Sequence, residues 1–155
     1  MDAPVPVILL SLLALLLLAA AVSDLRTRTI SNGLNLAIAL LAIPYLVAIE
    51  IPLWPDMAIR AGIAILLFAL FAACFHLGWM GGGDVKLITA VALWLPSGAV
   101  LPLLVIMSLA GGLLTLFFVV KAKLQKAGTP EIPYGVAIAA AAMFLIAQPI
   151  LNHFP

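Results

Sequence analysis

Charge is the first thing this chain lacks: of 155 residues only 8% are Asp, Glu, Lys or Arg, where a soluble domain carries about a quarter. That scarcity excludes a water-soluble globule. The seven basic and six acidic residues leave a net charge of +1. There is therefore neither a basic surface to hold a nucleic-acid backbone nor an acidic tail, and no nucleic acid is expected as a partner. Cysteine is nearly absent as well. The lone Cys74 cannot close an internal disulfide or supply a Cys-x-x-Cys metal knuckle, so a stapled secreted fold and a thiolate zinc site are both set aside. No histidine cluster and no Ser-His-Asp constellation is visible, and neither metal nor cofactor is expected. What the chain has in quantity is apolar side chain, 66% of the total, which describes a protein of the lipid bilayer.

The few charges are not scattered. They bound five uncharged stretches: Ala3 to Ser23, Thr29 to Ile49, Ala61 to Gly83, Leu87 to Val120 and Ile132 to Pro155. The stretch from Leu87 to Val120 is 34 residues long, too long for one crossing, and Pro96-Ser97-Gly98 interrupts it where a turn is expected. The reading is an all-α integral membrane protein of one domain, a bundle of six transmembrane helices over roughly 5–23, 34–50, 57–77, 84–95, 99–120 and 133–151. Lipid-facing backbone must satisfy its own hydrogen bonds, and no alternating barrel strands are visible. The fourth span is short, with an apolar part, Val85 to Leu95, that covers about half a bilayer. A cleaved signal peptide is the lesser reading of the first stretch, because Met1-Asp2-Ala3-Pro4 carries no basic residue.

Basic residues are retained on the cytoplasmic side. With the first connection cytoplasmic, that side holds Arg26, Arg28, Lys86, Lys121, Lys123 and Lys126, and Arg60 alone lies outside. Both termini then face the periplasm, and Asp24, Asp84 and Glu131 share the cytoplasmic end. Small residues, among them Ala61, Gly62, Ala64, Gly111, Gly112, Gly135, Ala139 and Ala142, recur at spacings that let helices approach closely.

Two aspartates stand at membrane depth. Asp24 ends the first apolar span; alone it reads as a helix-end carboxylate paired with Arg26 or Arg28. Asp84 follows Gly81-Gly82-Gly83 and precedes an apolar run; its structural reading is a helix N-cap. Three glycines weaken a helix by about 1 kcal/mol each relative to alanine, and a side-chain-free turn would let an extended peptide approach or leave backbone groups free to bind it. An ionisable group beside such a turn is a functional candidate. Two carboxylates held close share one proton. The ionised member then takes a proton from water as it attacks a peptide carbonyl, and the protonated member hydrogen-bonds the carbonyl oxygen.

These residues resemble the type IV prepilin peptidases, membrane-embedded aspartic proteases with a Gly-x-Gly-Asp motif. The motif here is Gly81-Gly82-Gly83-Asp84, continued by Val85-Lys86-Leu87. The family's first block, an aspartate followed by Ile-Pro-Asn, is similar to Asp24 with Ile30-Ser31-Asn32, and its Pro-Tyr-Gly block to Pro133-Tyr134-Gly135. The resemblance implies that Asp24 and Asp84 are the catalytic pair. It also implies that the leader peptide of a pilin or pseudopilin precursor is removed at the cytoplasmic face of the bacterial inner membrane. Gly81, Gly82, Gly83, Lys86 and Asn32 would support the acids, and Tyr134, Gly135 and Glu131 are candidates for substrate contact. Ser31 stands where the family usually has proline, which makes the turn after Asp24 less rigid, and Ala140-Ala141 stand where a further glycine is frequent. Larger relatives carry an insert with paired Cys-x-x-Cys motifs linked to N-methylation. With Cys74 alone, this chain is similar to the compact, peptidase-only type of tight-adherence (Flp) pili, and no methyltransferase activity is expected.

Other residues read more plainly. Lys121, Lys123 and Lys126 anchor a loop to anionic headgroups, His76 and His153 are interfacial, and Trp54, Trp79, Trp94, Tyr45 and Tyr134 form an aromatic belt. Two other classes stay open: a small transporter whose acids relay protons, and a non-catalytic membrane assembly subunit. Against the first, no span carries an acid at its middle; against the second, the glycine run before Asp84 is hard to justify.

Overall fold

Six α-helices make up most of the computed structural model, which describes residues 4–126 and 131–151. They are α1 (Pro4–Thr27), α2 (Asn32–Ala48), α3 (Ala58–His76), α4 (Gly82–Ala92), α5 (Ser97–Leu124) and α6 (Tyr134–Leu151), with one π-helical turn, Leu53–Met57, leading into α3. Among the described residues there is no strand. Three segments are long and apolar enough to cross a membrane: α1, α3 with its leading turn, and α5. The chain is a membrane protein.

α1, α2, α4 and α6 pack in a ring, each against the next, while α3 lies outside α4 and α5 outside α6. The core of this ring is apolar side chain excluded from all contact with the surroundings: Leu13 and Leu17 of α1, Ile38 of α2, Leu87 and Ile88 of α4, and Ile138 of α6. α3 and α5 barely touch and turn rows of large apolar residues outward, among them Ile65, Leu66, Leu109 and Leu113. In water such faces would be aggregation surfaces; in a bilayer they are the lipid boundary.

α4 is the exception. Its 11 residues span about 16 Å at the rise of an α-helix, half a bilayer, and Val85, Leu87, Ile88, Ala90, Val91 and Ala92 are all buried. Protein packs on three sides of it, from α2, α3 and α6.

Several boundaries differ from the sequence expectation, each for a local reason. α1 runs on through Thr27, so Asp24 sits inside its last turn rather than beyond it. The helix stops where Arg28 turns into the left-handed region (φ 54) and its N–H donates to the Asp24 carbonyl at 3.0 Å, a C-terminal cap. α2 starts at Asn32 because the Ser31 hydroxyl accepts the Leu34 N–H at 3.2 Å. The serine that stands for proline thus substitutes an N-cap for a rigid turn. α5 continues to Leu124, which puts Lys121 and Lys123 on its last turn rather than in a loop.

The belt and the small-residue stripe are corrected too. Trp94 and Tyr45 are core residues: the Trp94 indole donates to the Ile38 carbonyl at 2.9 Å, and its ring stacks on Tyr45 with centroids 4.9 Å apart. An indole N–H buried in apolar surroundings needs such a partner. Trp54 and Trp79 are exposed, as a belt requires. Ala64, Ala139 and Ala142 are buried at helix contacts, whereas Ala61 is exposed and Gly62 and Gly112 face open space. His76 is exposed at the end of α3, and His153 lies outside the described residues.

Candidate functional site

The last turn of α1, the loop to α2 and the first turns of α4 and α6 meet at one end of the bundle. Asp24 is 5% exposed there, and its Oδ2 has no hydrogen-bond partner. The first turn of α6 faces it, with the backbone N–H groups of Gly135 and Val136 turned toward the carboxylate. This is the positive end of a helix dipole presented to an anion. Position 135 has no room for a side chain: a Cβ there would lie 2.9 Å from Asp24 Oδ2 and 2.6 Å from Ile30 Cδ1.

Ile30 is the link to the second acid. Its far end lies over Gly135, while its Cβ, N and O stand 3.2, 3.3 and 3.3 Å from where a Cβ on Gly83 would be. Gly83 directly precedes Asp84. One isoleucine thus separates the Asp24–Gly135 contact from the turn that carries Asp84, and the charge of Asp24 bears on the Asp84 carboxyl.

Asp84 is not the N-cap. Gly81, extended at φ −71 and ψ 141, holds that position, and Gly82 and Gly83 are already helical. Asp84 is the third residue of the helix. Its N–H donates to the Gly81 carbonyl at 3.1 Å, and its carboxylate leans back over Gly81, where a Cβ would be 3.0 Å from Oδ2. This is the return contact an acid makes at the third position of a capping box. The glycine run is therefore not an unwound strip. A Cβ on Gly82 would come within 3.2 Å of the Phe75 ring, and one on Gly83 within 3.2–3.3 Å of the Ile30 Cβ and backbone, so the firmer demand for glycine is at position 83.

Of the other predicted site residues, Lys86 touches neither acid. Its ammonium donates to Asn32 Oδ1 at 2.6 Å, which ties α4 to the start of α2. Tyr134 is seated on α5, where a Cβ on Gly111 would come within 2.7 Å of its ring, and it lines a cavity of about 280 Å³ with Cys74, Met80 and Ser108. Glu131 is exposed ahead of α6, and nothing ties it to the acids. The arginine partner expected for Asp24 is not a hydrogen-bonded one. Arg28 acts on it only through its charge, lays its guanidinium over the Phe118 ring at 5.0 Å and leaves Nη1 buried without a partner. Among the described residues no three His, Cys, Asp or Glu side chains gather where a metal ion would bind.

Asn35 is the residue sequence reasoning missed. It is 4% exposed, and its Nδ2 donates to the Gly83 carbonyl at 3.1 Å. An amide inside the run Leu34 to Ile38, one helical turn from Asn32 on the same face, was the available signal.

Residues 11–116 match the family model for type IV leader peptidases. The chain belongs to the type IV leader peptidase family. Membership makes it a peptidase whose substrate is prepilin-like. The matched segment contains both aspartates, Ile30 and Asn35, and stops short of Tyr134 and Gly135. No curated protein and no solved structure matches the chain.

Proposed function

We propose that this leader peptidase is an intramembrane aspartic endopeptidase with Asp24 and Asp84 as its catalytic pair, removing the leader from type IV pilin-like precursors at the cytoplasmic face of the inner membrane. In the resting pair one carboxyl is ionised and the other protonated. The ionised member takes a proton from a water molecule as its oxygen adds to the scissile carbonyl. The protonated member donates a hydrogen bond to that carbonyl oxygen and then gives its proton to the departing amine, so the C–N bond breaks and an acid and an amine result. Gly83 and Gly135 let Ile30 hold the two helix starts together, and Lys86 with Asn32 fixes α4 against α2.

The observation that carries this reading is the pair of contacts made by Ile30, against Gly83 on one side and against Gly135 beside Asp24 on the other. All three blocks of the resemblance meet around it. The cytoplasmic assignment rests on the basic residues: Arg26, Arg28, Lys86, Lys121, Lys123 and Lys126 flank the helix ends on the side of the acids, and Arg60 lies at the start of α3 on the opposite side. With six helices alternating in direction, α4 as a short one, that count puts both termini on the periplasmic side. A compact Flp-type peptidase without methyltransferase activity fits a chain whose one cysteine is Cys74.

Co-expression with a pilin-type precursor tests the reading. Wild type should process it, and Asp24→Ala and Asp84→Ala should each fail while still inserting. Processing at the wild-type rate by either variant overturns the pair. Cysteines placed at Arg28 and Lys123 should be shielded from periplasmic reagents; labelling of both would invert the topology.

A further inference from the structure

An open groove of about 370 Å³ runs along α4 from Asn32 and Lys86 to Leu93, walled by α2 and α3. Its mouth is polar, where the Lys86 ammonium meets Asn32; the rest of its length is apolar, with Ala39 and Ala90 along its floor and the exposed side chains of Leu36 and Phe68 at its edges. Asn35 lines it near the mouth and presents an anomaly. The amide donates through Nδ2 to the Gly83 carbonyl, which fixes the orientation of the group, because the reverse would set two oxygens against each other. Its Oδ1 is then left buried with no hydrogen-bond partner. A buried acceptor without a donor is costly and calls for an explanation. The other polar side chains along the groove are occupied: Thr89 donates to the Val85 carbonyl at 2.8 Å and Lys86 to Asn32. In the cavity by Tyr134, between α3, α5 and α6, Ser108 donates to the Leu104 carbonyl at 2.7 Å.

We infer that Asn35 is a substrate-positioning residue whose Oδ1 accepts a backbone N–H of the precursor beside the scissile bond, and that the groove between α2 and α3 holds the apolar segment of the precursor that follows. The inference rests on the peptidase reading and deepens it. Bound to Gly83 through Nδ2 and to substrate through Oδ1, one amide sets the distance between the peptide and the residue that carries Asp84. An extended peptide supplies an N–H at each residue, and a groove that passes from a polar mouth along an open apolar surface matches a chain that goes from an aqueous leader into the membrane. A second peptide N–H satisfied at this point explains why an amide, rather than a leucine, occupies a core position of α2.

Two measurements test this. In the first, a photoreactive benzoylphenylalanine replaces Phe68 in the groove or Met107 in the cavity between α3, α5 and α6, in the Asp84→Asn background so that precursor is held and not turned over. An adduct from position 68, mapped to the apolar residues after the cleavage site, is expected. Absence of an adduct at 68 overturns the groove, whatever position 107 does. In the second, synthetic precursor peptides carry an ester in place of each amide near the cut in turn, which removes one N–H at a time. One ester should raise KM about tenfold for wild type and less than twofold for Asn35→Ala. A mere packing role for Asn35 would lower activity without that coupling, so ester effects of equal size in both proteins overturn the assignment. Failure of wild type to cleave any precursor would count against the peptidase reading, while the adduct would still report whether the groove binds the segment.

Discussion

The two ends of the bundle hold buried polar groups in opposite states. Where α1 stops and α4 and α6 begin, Asp24 Oδ2, Arg28 Nη1 and Asn35 Oδ1 are all buried without a hydrogen-bond partner. At the far end of α4, Arg60 donates to the Trp94 carbonyl at 3.3 Å, Trp94 donates to Ile38, and Tyr45 stacks on the indole. Leaving a buried group unmatched costs about 1–3 kcal/mol, and the same bundle matches its groups with ordinary side chains at one end. The unmatched groups thus gather at the end of the bundle that carries the two candidate acids. The far end anchors α4, and the near end presents it.

That contrast can be broken by exchanging which end is altered. The largest effect on chemistry should come from Asp24→Asn or Asp84→Asn, each lowering leader cleavage about a thousandfold with the thermal midpoint of the purified protein unchanged or raised. A fall in midpoint comparable to that of a core deletion would mean that the acids hold the fold. Trp94→Ala should do the reverse. It should cost about 3 kcal/mol or more in a denaturant titration in micelles, while cleavage per folded molecule changes far less. Gly135→Ala sits between these, because its Cβ would collide with Ile30 and Asp24. A loss of about 1–3 kcal/mol and a drop in kcat with little change in KM are expected, and unchanged kcat would detach Gly135 from the site. The smallest effect belongs to Gly62→Ala, in open space on α3, which should gain about 0.5–1 kcal/mol and leave cleavage alone.

The parts of this arrangement that were visible in the sequence are those where chemistry stands out against an apolar background. Asp24 and Asp84 are conspicuous because so few residues carry charge, and the glycines before Asp84 because helices in lipid rarely carry three together. Helix number followed from where the charges interrupt apolar runs and from the Pro96-Ser97-Gly98 break inside the longest of them. Helix ends did not: nothing in Leu25-Arg26-Thr27 says whether the chain is still helical, and the answer depends on the left-handed turn at Arg28. Ile30 was illegible for a different reason. One isoleucine among so many carries no signal until Gly83 and Gly135 are found on either side of it. Trp94 looked like a boundary residue because it stands near the end of the fourth apolar run, whereas that end is buried in the protein. Asn35 was hidden by its neighbour Asn32, which the motif already accounted for.

The central claim is that Asp24 and Asp84 act as one unit. Single-turnover cleavage of a purified precursor by wild type, Asp24→Asn, Asp84→Asn and the double variant in proteoliposomes tests it most directly. Each single substitution should lower the rate to the level of the double variant, as for catalytic groups that work only together. A double variant slower than either single by the product of their effects, or a single variant with wild-type rate, would contradict it.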